Sequence, residues 1–218
     1  MDISFNMNIS KKIRTLIIFI IILVFVYTIL ADSIFFIYLI WNIFLAFIPF
    51  FISAFLLWYQ KKNKKNLVFI FIGLFLWLIF FPNAPYIVTD LIHLGVNPSV
   101  PLFLDIILLF SSALVGMYFA VKSLSHIEQI FLSYFSNKKT SIILLFIILL
   151  SSFGVYLGRY LRWNSWDTFL QPKYILNDVA NIFFNIENHI EAFVITLVFF
   201  IFVTFSYYIY KYFKNKML

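Results

Sequence analysis

The stretch FPNAPYIVTDLIHL, residues 81–94, follows an apolar run that is long enough to lie in a membrane. Pro82 and Pro85 lack backbone N–H groups, and each disfavours helical geometry in the residue before it, so a regular helix cannot continue. Asp90 and His93 then follow among apolar residues. Broken backbone and ionisable groups at membrane depth are tolerated only inside protein or beside a water-filled cavity. This stretch is therefore the strongest candidate for a functional site.

The composition places the chain in a membrane. Of its 218 residues, 64% are hydrophobic and only 11% are charged, and the mean hydropathy is +1.01. A soluble domain of this length could not bury so much apolar surface. The net charge of +7 is explained by lysines beside membrane spans, so nucleic acid is not an expected partner. The chain has no cysteine, which excludes disulfides and cysteine metal sites.

Six apolar runs are long enough to cross the hydrocarbon core, which takes roughly 20 residues, or about 17 at the shortest. We expect one polytopic membrane domain over residues 1–218, with an all-α fold. The first run is expected to remain as a helix, because Asp32 and a second span follow it without a cleavage site. The predicted spans are 15–31, 34–59, 67–82, 101–121, 140–160 and 190–210.

The basic residues predict the orientation of these spans. Thirteen of the 16 lysines and arginines fall before the first span, between spans two and three, between spans four and five, or after the last span. Only Arg159, Arg162 and Lys173 fall on the opposite side. Because positive charge favours the cytoplasmic side, both termini are predicted to be cytoplasmic and the stretch 81–94 to open outward.

Two connecting segments have the pattern of interfacial helices. Residues 123–135 carry apolar side chains at helical spacing, with polar residues between them. Residues 174–190 do the same on the predicted outer side. Such amphipathic segments lie in the membrane surface with the apolar face down. The sequence therefore predicts two interfacial helices in addition to the six spans.

The second span carries a stripe of small and polar residues. Asn42, Ala46, Pro49 and Ser53 recur at helical spacing. Helix packing is the favoured interpretation, because small residues allow close approach and asparagine hydrogen-bonds across helices. Asn42 lies in the predicted outer half, so it could also face the same cavity as Asn83.

A carboxylate opens the fourth span. Asp105 comes one turn after Pro101, near the predicted outer interface. A negative charge is stabilised at the N-terminal end of a helix, so this position alone does not demand a function. We nevertheless include Asp105 among the candidate binding residues.

The fifth span ends in SSFGVYLGRYLRWNSWD, residues 151–167. Arg159 and Arg162 are the only arginines beyond the N-terminal segment, and the chain otherwise uses lysine for basic charge. Arginine offers a planar fork that matches a carboxylate or phosphate, which lysine does not. Binding of an anion and a structural pair with Asp167 or Asp90 are equally supported, and snorkelling anchors would also explain both arginines.

Acid–base chemistry and metal ligation are both compatible with the residues of the central stretch. Asp90 and His93 are three residues apart and would share a helical face, as a general acid and base require. The same residue types could ligate a metal, but the chain lacks a specific spacing of metal ligands. His126 is predicted to belong to an interfacial helix. No motif identifies a cofactor.

Three segments also resemble a known family. They are WN, LA and IP in the second span, the stretch 81–94, and YLGRYLRWNSWD at residues 156–167. With these segments the chain resembles the bacterial integral membrane proteins of domain-of-unknown-function family 1361. The resemblance implies a multispan inner-membrane protein, and it implies no activity, cofactor or catalytic residue.

The sequence thus predicts a polar site at the outer face that binds or acts on a lipid headgroup or an anionic envelope-related molecule. Asp90 and His93 are the candidate catalytic residues. A small carrier or channel subunit and a non-catalytic assembly subunit remain alternatives, although the apolar inner halves of the spans argue against a transport path. The candidate binding residues are Asn42, Asn83, Tyr86, Asp105, Arg159, Arg162, Trp163 and Asp167.

Overall fold

The computed structural model describes residues 11–62, 66–98 and 100–216, and these form a helical bundle. Most of the described chain is α-helix, and short 3₁₀ turns occupy Phe35–Ile37, Ile87–His93 and Ile186–Asn188. The helices are α1 (Lys11–Ala31), α2 (Tyr38–Lys62), α3 (Leu67–Phe80), α4 (Asn83–Tyr86), α5 (Leu102–Leu132), α6 (Asn137–Tyr160), α7 (Asp167–Leu170), α8 (Pro172–Phe184) and α9 (Ile190–Lys216).

Six helical stretches of the described chain are long and apolar enough to cross a membrane, which confirms the number predicted from the sequence. Four of them are single helices, namely α1, α5, α6 and α9. The other two combine adjacent elements, Phe35–Lys62 and Leu67–His93. Large apolar side chains such as Phe71 and Ile201 are exposed on their outer faces. This is the arrangement of a multispan membrane protein, in which lipid covers the apolar surface.

Helix α5 lies at the centre of the bundle. Its small residues, among them Ser112, Gly116 and Ala120, are buried and allow neighbouring helices to approach closely. Leu108, Phe119 and other large side chains on α5 fill the spaces that remain.

One predicted interfacial helix is wrong. Residues 123–132 continue α5 without a break, and Leu124 and Ile127 are buried among the other helices. Apolar residues at helical spacing indicate only that one face of the helix is buried. In this segment neighbouring helices bury that face, and the sequence pattern would be the same if the membrane surface did. No proline or glycine separates the segment from the preceding span, so nothing ends the helix earlier.

The other predicted interfacial segment contains a separate helix, α8. Its Ile182 is buried beside Tyr156 of α6, and the Phe183 ring lies 5.8 Å from Phe153. Part of its apolar face therefore packs on the bundle. Leu176 and Phe184 are exposed, and the location of α8 in the membrane surface stays a prediction.

The third span breaks at Pro82, as the sequence predicts. Without a proline N–H, carbonyl groups at the end of α3 need other donors. The Nδ2 of Asn83 donates to the carbonyl of Phe80 at 2.9 Å. The Oγ of Ser165, from the loop after α6, donates to the carbonyl of Ile79 at 2.9 Å. Two side chains thus supply hydrogen-bond donors to carbonyls at the break, and one of them comes from a loop that is distant in the sequence.

Two glycines let residues 81–94, which we call the broken segment, pack between α5 and α6. A Cβ on Gly116 of α5 would lie 2.6 Å from the backbone oxygen of Ala84. A Cβ on Gly154 of α6 would lie 2.6 Å from Cγ of Pro82. Both distances are too short for any larger residue, so these glycines fix the depth at which the segment sits.

The two ends of the bundle differ in charge. At one end, which we call the lysine-rich end, Lys211 pairs with Glu128 and the Nζ of Lys214 donates to the Oγ of Ser125. Asn63, Lys64 and Lys65 of the predicted cytoplasmic loop lie outside the described residues. The opposite end, which we call the site end, holds the 3₁₀ turn Ile87–His93 and the C-terminus of α6.

Candidate functional site

Arg159 joins the broken segment to α6 at the site end. Its Nη1 lies 3.4 Å from Oδ1 of Asp90 and donates to the hydroxyl of Tyr86 at 3.4 Å. Its Nη2 lies 3.0 Å from Nε2 of His93, and the guanidinium carbon lies 5.9 Å from the centre of the Tyr86 ring. The arginine side chain is 17% exposed and the Asp90 side chain 1%. The pair is therefore enclosed by protein on the Asp90 side and accessible on the arginine side.

The 3₁₀ conformation explains why Asp90 and His93 reach the same arginine. In a 3₁₀-helix, side chains at positions i and i+3 are eclipsed, so they form a column parallel to the axis. Asp90 and His93 occupy such positions in the turn Ile87–His93. The sequence predicts both residues on one helical face, and the 3₁₀ turn aligns them closely.

Asn42 of α2 completes the setting of Asp90. Its Nδ2 donates to Oδ2 of Asp90 at 2.9 Å. Below it on the same stripe, Ala46, Pro49 and Ser53 are buried against neighbouring elements. The stripe therefore has both roles that the sequence allowed: its small residues pack against neighbouring helices, and its asparagine contacts the buried carboxylate of Asp90. We call Asn42, Tyr86, Asp90, His93 and Arg159 the arginine cluster.

The contact with Arg159 also defines the protonation of His93. A guanidinium group only donates hydrogen bonds, so the Nε2 that faces it must carry a lone pair and the proton sits on Nδ1. The imidazole ring lies edge-on to Phe35 and Tyr38, with ring centres 5.4 and 5.7 Å away. These aromatic rings hold a neutral imidazole next to the guanidinium.

A polar cavity of about 180 Å³ lies beside the arginine cluster. It is enclosed by α2, the broken segment, α6, the loop 161–166 and the helices α7 and α8. Asn42 and Tyr86 belong to both the cavity wall and the arginine cluster, so the two are contiguous. The described side chains that line the cavity carry no formal charge, and the polar and aromatic ones include Trp41, Asn42, Asn83, Tyr86, Trp163 and Asn164.

The loop after α6 forms one wall of the cavity. Asp167 accepts hydrogen bonds from the backbone and side-chain nitrogens of Asn164 at 2.8 and 3.1 Å. The indole Nε1 of Trp163 donates to Asp178 of α8 at 2.8 Å, and Ser165 accepts from Asn83 at 2.8 Å. Asp167 therefore shapes the loop rather than pairing with an arginine.

The two arginines of the fifth span have different surroundings. Arg162 is exposed, has a backbone φ of 59°, and makes no side-chain hydrogen bond or ion pair with the described residues. Of the two structural partners considered for the arginines, Asp90 is the one that Arg159 contacts. The structure thus brings Arg159 into the cluster and leaves Arg162 outside it.

Asp105 also lies outside the arginine cluster. It is fully buried, and its Oδ2 accepts a hydrogen bond from the backbone nitrogen of Gly95 at 2.8 Å. Gly95 has a positive φ of 74°, so the carboxylate holds a turn that favours glycine. Among the described residues, neither Oδ1 of Asp105 nor the hydroxyl of Tyr27 has a hydrogen-bond partner. The expected convergence of Asp105 with the other candidate residues is therefore not observed.

A second group of buried polar side chains, which the sequence did not predict, lies nearer the lysine-rich end. The indole Nε1 of Trp77 donates to Oγ of Ser123 at 2.6 Å, and that hydroxyl donates to the carbonyl of Pro49 at 3.1 Å. The Oγ of Ser53 lies 3.1 Å from Nδ1 of His126. We call Ser53, Trp77, Ser123 and His126 the inner polar cluster. His126 thus belongs to the bundle interior, contrary to its predicted interfacial position.

Potential metal ligands do not gather in the part of the chain that the structure describes. There, no three histidine, aspartate or glutamate side chains come close enough together to hold a metal ion. Asp90 and His93 are instead occupied by Arg159.

The comparison with protein families gives one match. Residues 41–205 match the model of the family described as "Protein of unknown function (DUF1361)". The chain belongs to the DUF1361 family. This confirms the resemblance recognised in the sequence, and the matched region contains the arginine cluster, the cavity loop and the inner polar cluster. No curated protein and no solved structure matches the chain. The DUF1361 description names no activity.

Proposed function

We propose that this protein binds an anionic headgroup at the extracytoplasmic face of a bacterial inner membrane and acts on it by proton transfer. The observation that carries the proposal is the setting of Arg159, whose guanidinium is held by three neighbours yet remains partly accessible. A phosphate or carboxylate is the ligand that matches a planar guanidinium fork.

The guanidinium has hydrogen-bonding capacity left for a ligand. It carries five N–H donors. Tyr86 and Asp90 are contacted at 3.4 Å, which is long for a charge-assisted hydrogen bond, and the contact with His93 is the only short one. Donors that are unused or weakly used can therefore turn toward an anion without breaking a strong interaction.

Asp90 and His93 take different roles in this proposal. Both oxygens of Asp90 are engaged, and its side chain is almost completely enclosed. We therefore assign Asp90 to positioning Arg159. His93 is less enclosed and presents a neutral imidazole beside the guanidinium. Its Nε2 lone pair faces Arg159, so we propose that His93 accepts a proton when the guanidinium turns toward a bound anion and releases that nitrogen.

The extracytoplasmic orientation rests on the distribution of basic residues. The positive-inside rule assigns the lysine-rich end to the cytoplasm and the site end to the opposite face. The chain has no native cysteine, so single cysteines can test this assignment. We expect an impermeant thiol reagent to label Phe169→Cys in intact cells and to leave Lys138→Cys unlabelled. The reverse pattern would place the site in the cytoplasm.

A carrier function finds less support. Transport within one chain needs polar groups that connect the two faces. Between the arginine cluster and the inner polar cluster, Ala84 and Ile87 pack against Gly116, and the Phe50 and Phe119 rings lie 5.3 Å apart. These four non-glycine side chains are almost completely buried. An apolar layer therefore separates the two clusters.

The two arginines supply a matched test of anion binding. We expect detergent micelles that contain phosphatidylglycerol to raise the thermal unfolding midpoint of the wild type and of Arg162→Lys, relative to micelles that contain phosphatidylcholine. The increase should be lost in Arg159→Lys, because lysine lacks the fork that satisfies the cluster and the anion together. His93→Gln should retain the increase but fail to complement a deletion strain. An unchanged increase in Arg159→Lys would refute the proposed site.

A further inference from the structure

A second void adjoins Arg159, on a different side from the polar cavity. It has a volume of about 240 Å³ and lies between the 3₁₀ turn, α6 and α9. Arg159 and Val155 line it from α6, and Ile92 lines it from the turn. Ile92 is 70% exposed and Val198 of α9 is 57% exposed. The void is therefore a groove that opens on the lateral surface of the bundle, where lipid covers the helices.

The groove combines one charge with apolar walls. Arg159 is the only charged side chain among the described residues that line it. Thr89 and Tyr160 add hydroxyl groups, and the remaining walls are Ile92, Val155, Ile195, Val198 and Phe199. A cation beside an apolar channel is complementary to a molecule in which an anionic group is attached directly to hydrocarbon. A soluble anion would use the guanidinium and leave the groove to bulk lipid.

The polar cavity defines what lies on the other side of the anion. Tyr86 links the two voids, since it lines the cavity and its hydroxyl accepts from Arg159, which lines the groove. The described cavity wall offers amide and hydroxyl groups together with the indoles of Trp41 and Trp163, and it contains no formal charge. Such a wall can hydrogen-bond a neutral group with several hydroxyls, whereas a charged substituent would find no counter-ion there.

We infer that the ligand is a phosphate-bearing lipid with a neutral, hydroxyl-rich headgroup. Its phosphate contacts Arg159, its hydrocarbon lies in the groove between the 3₁₀ turn and α9, and its headgroup reaches past Tyr86 into the cavity. This inference rests on the proposed function and adds the class of ligand and the lateral route by which it enters.

The groove contributes orientation more than affinity. Lipid tails are as apolar as the side chains that line the groove, so moving a tail from bulk lipid into it yields little hydrophobic free energy. Packing of the tail against Ile195 and Val198 instead fixes the phosphate next to the guanidinium. A side chain that fills the groove should therefore reduce selective binding while leaving the protein folded.

The test uses nanodiscs made of equal amounts of phosphatidylglycerol and phosphatidylcholine, and native mass spectrometry of the protein that they release. Phosphatidylglycerol has one phosphate and a neutral dihydroxylated headgroup. We expect the wild type to retain it in preference to phosphatidylcholine, and Val198→Trp to reduce that preference roughly tenfold. Leu197→Trp is the control, because Leu197 is 55% exposed on the same helix and does not line the groove.

Two further arms separate this inference from the function on which it rests. Soluble glycerol 3-phosphate should not raise the thermal midpoint, and phosphatidylserine should be retained less than phosphatidylglycerol because its headgroup is charged. If glycerol 3-phosphate stabilises the wild type through Arg159 and Val198→Trp binds normally, the anion site stands and the lipid inference is wrong. If no anion is retained through Arg159, both proposals fail. A thermal midpoint of Val198→Trp equal to that of Leu197→Trp confirms that the groove variant is folded.

Discussion

The arginine cluster and the inner polar cluster both bury polar side chains against α2, but they differ in charge and in unused hydrogen-bonding capacity. In the inner cluster, neutral groups are joined in series from Trp77 through Ser123 to the carbonyl of Pro49. In the arginine cluster, a cation, a carboxylate and an imidazole meet beside a polar cavity and an apolar groove.

The difference separates a structural use of buried polarity from a functional one. Both serines of the inner cluster donate to backbone carbonyls of α2, at Phe50 and at Pro49. The bond from Ser123 of α5 to Pro49 joins two helices, whereas Ser53 bonds within its own helix. The arginine cluster has long contacts, remaining donors and two adjacent voids, which an interaction serving stability alone does not require. Burial of a polar residue in a membrane bundle is thus less informative than the capacity that its neighbours leave unused.

The strongest test of this contrast removes the charge of Asp90. Asp90→Asn leaves the guanidinium of Arg159 without its counter-ion in a largely enclosed position. We expect a loss on the order of 3 kcal/mol in the free energy of unfolding, measured by thermal or denaturant unfolding in detergent. Asp32→Asn is the control, because Asp32 is exposed and its positive φ of 46° is one that asparagine also adopts.

A double variant distinguishes a loss of stability caused by the unpaired charge of Arg159 from one caused by altered packing around Asp90. Asp90→Asn combined with Arg159→Gln removes both charges, so more than half of the lost stability should return. If the double variant is as unstable as Asp90→Asn alone, the cluster is held by packing rather than by charge, and the contrast with the inner cluster disappears.

The inner cluster should respond to the loss of a single hydroxyl. Ser123→Ala leaves the indole N–H of Trp77 buried without an acceptor, and we expect a cost of about 2 kcal/mol. Ser112→Ala is the matched control on the same helix, because the Ser112 hydroxyl donates only to the carbonyl of Leu108 in its own helix. That change should cost less than about 0.5 kcal/mol.

Lipid retention should be the same in both of these serine variants. The inner cluster has no role in ligand binding on our assignment. A loss of phosphatidylglycerol binding in folded Ser123→Ala, measured by native mass spectrometry, would show that the two clusters are coupled.

The smallest expected effect concerns the packing that sets the position of the arginine cluster. Gly154→Ala places a Cβ 2.6 Å from Pro82, and the resulting overpacking should cost about 1–2 kcal/mol in the free energy of unfolding. Gly158→Ala, one turn later, meets Tyr86 and the Trp163 carbonyl at 3.4 and 3.5 Å. Those are ordinary contacts, so its thermal midpoint should stay near that of the wild type. Equal midpoints for the two variants would contradict the assigned packing.

The sequence predicted the coarse fold well, because hydropathy and proline act locally. Each predicted span is a long apolar run, and two prolines three residues apart, Pro82 and Pro85, disfavour a regular helix there. The meeting of Asn42, Asp90 and Arg159 was also expected, since each is costly against lipid and can be satisfied by the others. These predictions succeed because each rests on an environment that the residue strongly disfavours, namely lipid for a polar group and a helix interior for proline.

The failures come from residues that several environments can satisfy. Asp105 was expected at the cavity, but a backbone N–H in a neighbouring turn is an equally good partner for a carboxylate. The segment 123–135 and His126 were assigned to the surface because an amphipathic pattern does not say what covers its apolar face. Ser165 gave no signal of its own, although its hydroxyl repairs the end of α3.

The separation of Asp90 and Arg159 in the chain has a consequence for how the protein is made. The two residues are 69 positions apart, so at ribosomal rates of 5–20 residues per second the carboxylate waits roughly 3–14 s for its counter-ion. Asn42, synthesised earlier, is already present to donate a hydrogen bond during that interval. A nascent chain that stalls before α6 therefore carries a carboxylate held by an amide alone. Quality-control proteases should recognise that intermediate, whereas the finished bundle hides the same group completely.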